Sequence, residues 1–406
     1  MSLSMSVTAP ALRVPFHRAS IDEDTIERVA DVLRSGWLTT GPQCTAFEHE
    51  FAARLGPNVE AIAVNSGTAA LHLALDAVGV RAGDLVVTSP YTFTATAEVA
   101  RYLGAHPVFA DVDPATGNVT PATVLAAVAR LTSEDRRRIR AVLPVHFAGL
   151  PCDLTGLREF ALTYRWSLVD DAAHALPASH AGRPVGAQGD ATAFSFYATK
   201  TLCTGEGGMV TTRVPELAAR MRTMRLHGID RDVFRRYEQA AAWYYEVVEA
   251  GFKYNLTDIA AALGRAQLQR QDELRAARLR IATAYDVAFA GLDGVLVPPD
   301  AAPGDTHARH LYPLRVLGGR AVRDAFVECL ADRGIAASVH FIPLYLQPYY
   351  RRTYGLRASD FPGANTLFEQ EVSLPLYPAM EPADIDAVIT EVPRAIAAAH
   401  QRARPG

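Results

Sequence analysis

Lysine is nearly absent from this chain. Of its 40 basic residues only Lys200 and Lys253 are lysines; the other 38 are arginines. Arginine supplies a fixed positive charge, but an amine that gives up its proton or condenses with a carbonyl has to be lysine. Cysteine is scarce as well. Cys44, Cys152, Cys203 and Cys329 lie far apart and make no Cys-x-x-Cys pair, which argues against a zinc site or a disulfide frame and for a reducing compartment. No uninterrupted apolar run approaches the roughly 18 residues of a membrane span. The stretch Met1–Phe16 carries neither the basic nor the apolar part of an export signal, so a cytoplasmic protein is expected. An excess of cations is also missing. With a net charge of −4, neither nucleic acid nor an anionic membrane is an expected partner.

What is present suits a globular protein with a sizeable core. The 406 residues are 49% hydrophobic and 21% charged, and at about 150 residues per domain they make two or three domains. After a tail over 1–20, Ser20-Ile21-Asp22-Glu23 reads as a capping box, with Ile26, Val29, Ala30 and Leu33 on the inner face of the helix it opens. Strands and helices then alternate. Strands are expected at Glu60–Val64, Asp84–Thr88, Pro107–Val112, Ala141–Val145, Ser167–Asp170, Ala191–Tyr197 and Gly208–Thr212. Their apolar runs lack polar alternation, as in a mostly parallel sheet covered on both faces. A large α/β domain over 21–270 follows. Its long aromatic stretch between Gly228 and Gly251 includes Trp243-Tyr244-Tyr245, and a loop of that length is usually functional. A helical region from Leu256 to about Leu292 connects to a smaller C-terminal α+β domain over 271–406. That domain has strands at Leu311–Val316 and Ala337–Phe341 and a last helix from Pro382. Arg136–Arg140 reads as a solvated turn.

Four places carry chemistry, each just past the carboxyl end of a strand, where open α/β sheets bind ligands. Asn65-Ser66-Gly67-Thr68 joins a strand to a helix; free N–H groups and the glycine suit an anion there, and an ordinary N-cap is the plainer alternative. In Pro90-Tyr91-Thr92-Phe93-Thr94 an aromatic side chain can stack on a planar ring or plug the core. Val169-Asp170-Asp171-Ala172-Ala173-His174 ends a strand in two carboxylates on opposite faces, so one can enter a site. With His146, Asp171 and His174 could also hold a metal, but no pattern supplies the remaining ligands. Last, Lys200 follows Ser195 and precedes Gly205-Glu206-Gly207-Gly208. No Gly-x-x-x-x-Gly-Lys motif and no Gly-x-Gly-x-x-Gly between strand and helix occurs, which disfavours a P-loop and a simple dinucleotide fold. Taken together, a phosphate nest, an aromatic plate, a carboxylate, a hydroxyl and an amine are what pyridoxal 5'-phosphate (PLP) requires: donors for its phosphate, a face for its ring, an anion for its pyridine nitrogen and an amine for its aldehyde.

On these blocks, together with Ser35–Pro42 (SGWLTTGP) and Lys253-Tyr254-Asn255-Leu256, the chain resembles the DegT/DnrJ/StrS family of sugar-nucleotide aminotransferases over nearly its whole length. Within that family it looks most like enzymes that aminate C4 of UDP-linked 4-keto-pentoses. The resemblance implies a PLP-dependent transferase of fold type I, like aspartate aminotransferase. This fold has a large, mostly parallel seven-stranded sheet domain, and the enzyme is a homodimer with shared active sites. It further implies Lys200 as the Schiff-base lysine, Asp171 as the partner of the pyridine nitrogen and His174 beside the ring. Phe93 becomes the stacking residue, Gly67, Thr68 and Ser195 the phosphate contacts, and Asn255 the asparagine lent by the neighbouring subunit. Thr39 and His340 fall in segments that line the sugar site in relatives, with ordinary turn and strand positions as the alternative, and Lys253, on the expected interface strand, could neutralise a substrate phosphate or simply be solvated. The implied reaction moves an amino group from glutamate to a nucleotide-linked keto-sugar, in deoxyaminosugar or antibiotic biosynthesis. Amination at C3, a transaminase of a small amino acid, a decayed binding module and a metal-dependent hydrolase are the alternatives.

Overall fold

The computed structural model describes residues 13–229 and 245–403. Its main sheet has seven strands: β1 Glu60–Val64, β2 Leu85–Thr88, β3 His106–Phe109, β4 Ile139–Leu143, β5 Ser167–Asp171, β8 Ala191–Ser195 and β9 Gly208–Thr212. β6 Ser179–His180 and β7 Arg183–Pro184 form a separate hairpin. The order across the sheet is β1-β9-β8-β5-β4-β2-β3, with β9 antiparallel to both neighbours and every other pair parallel. Successive residues of a strand enter different cores. Ala61, Ala63, Val87, Val142, Leu168 and Phe194 pack on one face, and Ile62, Val64, Val86, Ala141, Val169 and Ala193 on the other. Burial on both faces is why these strands read as continuous apolar runs.

The smaller domain packs the helices Gln271–Phe289, Arg320–Ala331 and Pro382–Arg402 on an antiparallel sheet of β10 Val295–Leu296, β11 Tyr312–Val316 and β12 Glu371–Leu374. Val14 is wholly buried in this core and bridges to Ile335, so the end of the segment read as a tail is tied down. Residues 1–12, and Trp243-Tyr244 with the rest of 230–244, lie outside the described residues.

Several expectations are corrected. The first helix, Glu23–Ser35, is capped by Asp22, which accepts the Thr25 N–H at 2.9 Å, and not by Ser20. It turns Thr25 and Val32 inward and leaves Ile26 and Leu33 49% and 55% exposed, because its seat on the helix Asp258–Gln269 decides the face. The long helical region is two helices meeting at Arg270. Ser133–Arg138 is a short helix capped by Thr132 rather than a turn. Ala337–Phe341 is no strand; only Ser338 bridges, to Ser373. Among the described residues no helix is long and apolar enough to cross a membrane.

Candidate active site

The carboxyl ends of β1, β2, β5 and β8 open into one cavity of about 650 Å³, closed on the far side by the smaller domain. Gly67, Thr68, Phe93, Asp171, His174, Ser195, Lys200 and His340 all line it. Parallel strands deliver their tips to the same edge, so residues 133 positions apart in sequence become neighbours.

Ser66 caps the helix Gly67–Ala77 by accepting the Ala69 N–H at 3.1 Å, leaving the earlier amides at that helix start facing the cavity. A Cβ on Gly67 would lie 2.8 Å from Ser195 Cβ, so glycine is what allows the two loops to close together. Phe93 is 60% exposed, with its ring 6.4 Å from that of Phe341. The plugging alternative fits Tyr91 instead, which is fully buried.

The two carboxylates of β5 separate as the strand period requires. Asp170 points away from the cavity and accepts the Thr192 hydroxyl at 3.0 Å; burial raises its carboxyl to about 7. Asp171 points into the cavity, accepting the Thr96 hydroxyl at 2.8 Å and the Ala173 N–H at 3.1 Å. Burial pushes it above the usual carboxylate range, while those two bonds and the charge of Lys200 hold it down. The Lys200 amine is itself lowered to about 8 by burial, against the attraction of Asp171. His174 sits between two rings, 4.4 Å from His310 and stacked at 5.7 Å on Phe341. Its Nδ1 and that of His310 are buried without a partner. Burial and the Lys200 charge keep both imidazoles neutral.

Three expected site residues lie elsewhere. Thr39, Lys253 and Asn255 do not line this cavity; they gather beyond the end of β1. Asn255 bridges to Val64, donates its amide to Thr40 Oγ1 at 2.8 Å and accepts from Lys253 Nζ, while the Thr39 carbonyl accepts the Asp258 N–H at 3.1 Å. His146 is buried below the site, its Nδ1 accepting the Cys152 N–H at 3.0 Å. Among the described residues no three His, Cys, Asp or Glu are grouped to hold a metal ion. Sequence reading missed His17, His310 and Phe341, which line the cavity from other elements, and Thr96, which holds Asp171. Their linear neighbours carry no motif. Thr92 and Thr96 meet through their hydroxyls at 2.7 Å, but Thr92 precedes the helix that begins at Ala95, so their spacing carries no helical pattern.

Residues 19–393 match the DegT/DnrJ/EryC1/StrS aminotransferase family. The chain is 44% identical over 382 residues to the spore coat polysaccharide biosynthesis protein SpsC of Bacillus subtilis, covering 93% of this chain and 96% of that protein. It superposes on the PMP-form of the sugar aminotransferase Spr1654 of Streptococcus pneumoniae (described as putative) with a TM-score of 0.87 at 31% identity, over 95% of this chain and 100% of that one. The aminotransferase TlmJ of Streptoalloteichus hindustanus gives 0.85 at 34%, over 95% and 99%. The site fits the cofactor these enzymes use. A buried imidazole nitrogen is free, a glycine-lined helix start faces a hydroxyl, and the Asp171 carboxylate shares the cavity with the Lys200 amine. The chain belongs to the DegT/DnrJ/EryC1/StrS aminotransferase family and is a PLP-dependent sugar aminotransferase of fold type I.

Proposed function

We propose that this enzyme transfers the amino group of glutamate to a nucleotide-linked keto-sugar, at C4 of a 4-keto-pentose or 4-keto-6-deoxyhexose, in the cytoplasm. The observation that carries the reading is the joint presence of Lys200 and Asp171 in one strand-tip cavity, with the family match over 19–393. Bound PLP supplies the electron sink that makes a Cα–H bond acidic.

The chain's own residues do the rest. Lys200 Nζ would hold the cofactor's aldehyde and, when free, move a proton from the donor's Cα to the cofactor's C4′ and, in the second half-reaction, from C4′ to the sugar carbon. An amine lowered to about 8 is suited to both directions near neutrality. Asp171 keeps the pyridine nitrogen protonated, and Thr96 orients its carboxylate. Phe93 and His174 pack against the ring, while Gly67, Thr68 and Ser195 take the phosphate. Asn255 serves the site of a second copy, which accounts for its distance from the cavity of its own chain and makes the homodimer part of the mechanism. Thr39 and Lys253 come with it, and His340 meets the sugar.

The test is spectral and chemical. The purified protein should show a bound-cofactor absorbance band that glutamate shifts, and borohydride should fix a pyridoxyl label on the Lys200 peptide. The cofactor-loaded protein should also aminate a 4-keto-sugar nucleotide in preference to a panel of 2-oxo acids. A label on any other peptide overturns the lysine assignment, and preference for the oxo acids overturns the substrate.

A further inference from the structure

Behind His340 lies a buried polar chain to which the reaction assigns no role. Glu371 opens β12 with none of its surface exposed. Its Oε2 accepts the backbone N–H of His340 at 2.7 Å, and its Oε1 meets Ser373 Oγ at 2.5 Å. The same Ser373 Oγ meets His340 Nδ1 at 2.9 Å. Glu371, Ser373 and His340 are therefore in series, and the last of them lines the cavity. The imidazole is clamped, stacked on Phe16 at 5.6 Å and edge-on to Phe341 at 5.1 Å, while the Tyr91 hydroxyl holds the His340 carbonyl. With the ring fixed, what remains variable is which nitrogen carries the hydrogen.

A serine hydroxyl has one hydrogen to donate. When Glu371 is a carboxylate, Ser373 must donate to it and accept from His340 Nδ1–H, so Nε2 is left as a bare lone pair. When Glu371 is a carboxylic acid, the acid donates to Ser373, the hydroxyl donates to Nδ1, and Nε2 carries the hydrogen. We propose that Glu371, acting through Ser373, selects the tautomer of His340, making Nε2 a donor to an oxygen of the keto-sugar when the carboxyl is protonated and an acceptor when it is ionised. The identity of the ligand rests on the proposed function; the tautomer does not. The states differ by one proton. On ionisation the Nε2 proton leaves to the cavity, Nδ1 takes the proton of Ser373, and Ser373 takes that of Glu371, each along an existing hydrogen bond.

The surroundings favour a response near neutrality. Burial raises Glu371 to about 8, opposed by its bonds to Ser373 and the His340 N–H and by Arg323. Arg323, on the helix Arg320–Ala331, is occupied by Asp324 at 2.6 Å and the Phe368 carbonyl at 2.8 Å. Arg315, paired with Glu371 across β11, is bound to Gln370. Tyr91, facing from the loop after β2, is raised well above its usual range by burial and stays neutral. On the cavity side His340 faces Lys200, with His174 and His310 beyond; burial and the lysine charge lower His340 to about 4. The ring is neutral throughout the working range, so Glu371 changes its tautomer and not its charge.

The test follows the ring nitrogens of the holoenzyme by ¹⁵N NMR, with His340 assigned from the spectrum of His340→Asn. Alongside it, kcat/KM for the keto-sugar nucleotide is followed against pH and divided by the same quantity for Glu371→Gln, in which Lys200 is retained. In the wild type, Nε2 should pass from protonated to bare with a midpoint near pH 8. The ratio of wild type to Glu371→Gln should fall about tenfold over the same interval, the value of one hydrogen bond. Glu371→Gln, whose amide oxygen accepts the His340 N–H and whose NH2 is then left to donate to Ser373, should hold Nε2 protonated throughout. Ser373→Ala should break the series and remove the transition, with melting curves confirming that both variants fold. A wild-type tautomer constant from about pH 6 to about pH 10 overturns the proposal, as does an unchanged transition in both variants. If the transition appears as described but no keto-sugar nucleotide is aminated, the relay stands and the substrate assignment falls.

Discussion

The cavity at the strand tips and the strip beyond β1 contain the same kinds of groups in opposite situations. Each has one of the chain's two lysines, a hydroxyl and further polar side chains. In the strip Lys253 is exposed and donates to Asn255, whose amide goes on to Thr40, so the polar groups are satisfied within the chain. In the cavity Lys200 is lowered to about 8, and the ring nitrogens of His174 and His310 are buried without partners. An amine becomes a base at neutral pH by losing water around it, not by being present. Buried unpaired nitrogens carry a cost that a bound molecule can relieve. The cavity is built to receive a ligand, and the strip is built to hold its shape.

The sharpest way to break this contrast is to alter the two lysines separately. Lys200→Arg keeps the charge and removes the titratable amine, so both half-reactions should fall on the order of 10³-fold or more in single-turnover absorbance measurements. Lys253→Ala should leave them within about twofold at saturating substrate and cofactor and act only on binding, because an exposed amine is not the base. Equal effects would erase the distinction between the two regions.

Next in size, Asp171→Ala should cost on the order of 10²-fold, because the pyridine nitrogen loses its anion. Asp170→Asn, one residue away on the other face, should affect melting temperature and leave turnover nearly intact. The proposed role of the strip is tested by Asn255→Ala, expected to weaken cofactor binding about tenfold. Mixing that variant with Lys200→Arg sharpens the point. If sites are shared, a mixed dimer has one site with both defects and one with neither, and random pairing restores about a quarter of wild-type activity. No recovery on mixing would confine Asn255 to its own chain.

The smallest effect concerns Thr96. Its hydroxyl lowers the Asp171 carboxyl against the upward push of burial. Thr96→Val should therefore raise Asp171 further and move the acid limb of the pH–rate profile to higher pH, with only a few-fold loss at the optimum. A limb that stays in place, or moves down, would show that Thr96 does not tune the carboxylate.

Much of this arrangement was legible because it is local. Strands buried on both faces announce themselves as apolar runs, and a ligand residue just after such a run must stand at the sheet's carboxyl edge. The strand period alone separates Asp170 from Asp171, and the loop chemistry marks Gly67, Phe93 and Ser195. What was not legible depends on which surfaces meet. The first helix has apolar residues on more than one side, so pattern alone could not tell that Val32 and not Ile26 or Leu33 is covered. Ala337–Phe341 has strand-like composition but only one bridging residue, because the chain leaves β12 after Ser338 to place His340 at the cavity.

The amino-acid sequence by itself determined the alternation of strands and helices, the side of the sheet on which chemistry would sit, and that Lys200, one of only two lysines, stands at that edge. Each of these follows from short-range periodicity and from side-chain types without substitutes. Only the tertiary structure decided which imidazoles surround that amine, that Thr96 holds Asp171, and that Glu371 and Ser373 stand behind His340. Thr96 and Asp171 are 75 positions apart, and Glu371 and Ser373 stand 31 and 33 positions from His340. Contact at such separations is set by how sheets and helices pack around a common cavity, and no local pattern encodes it.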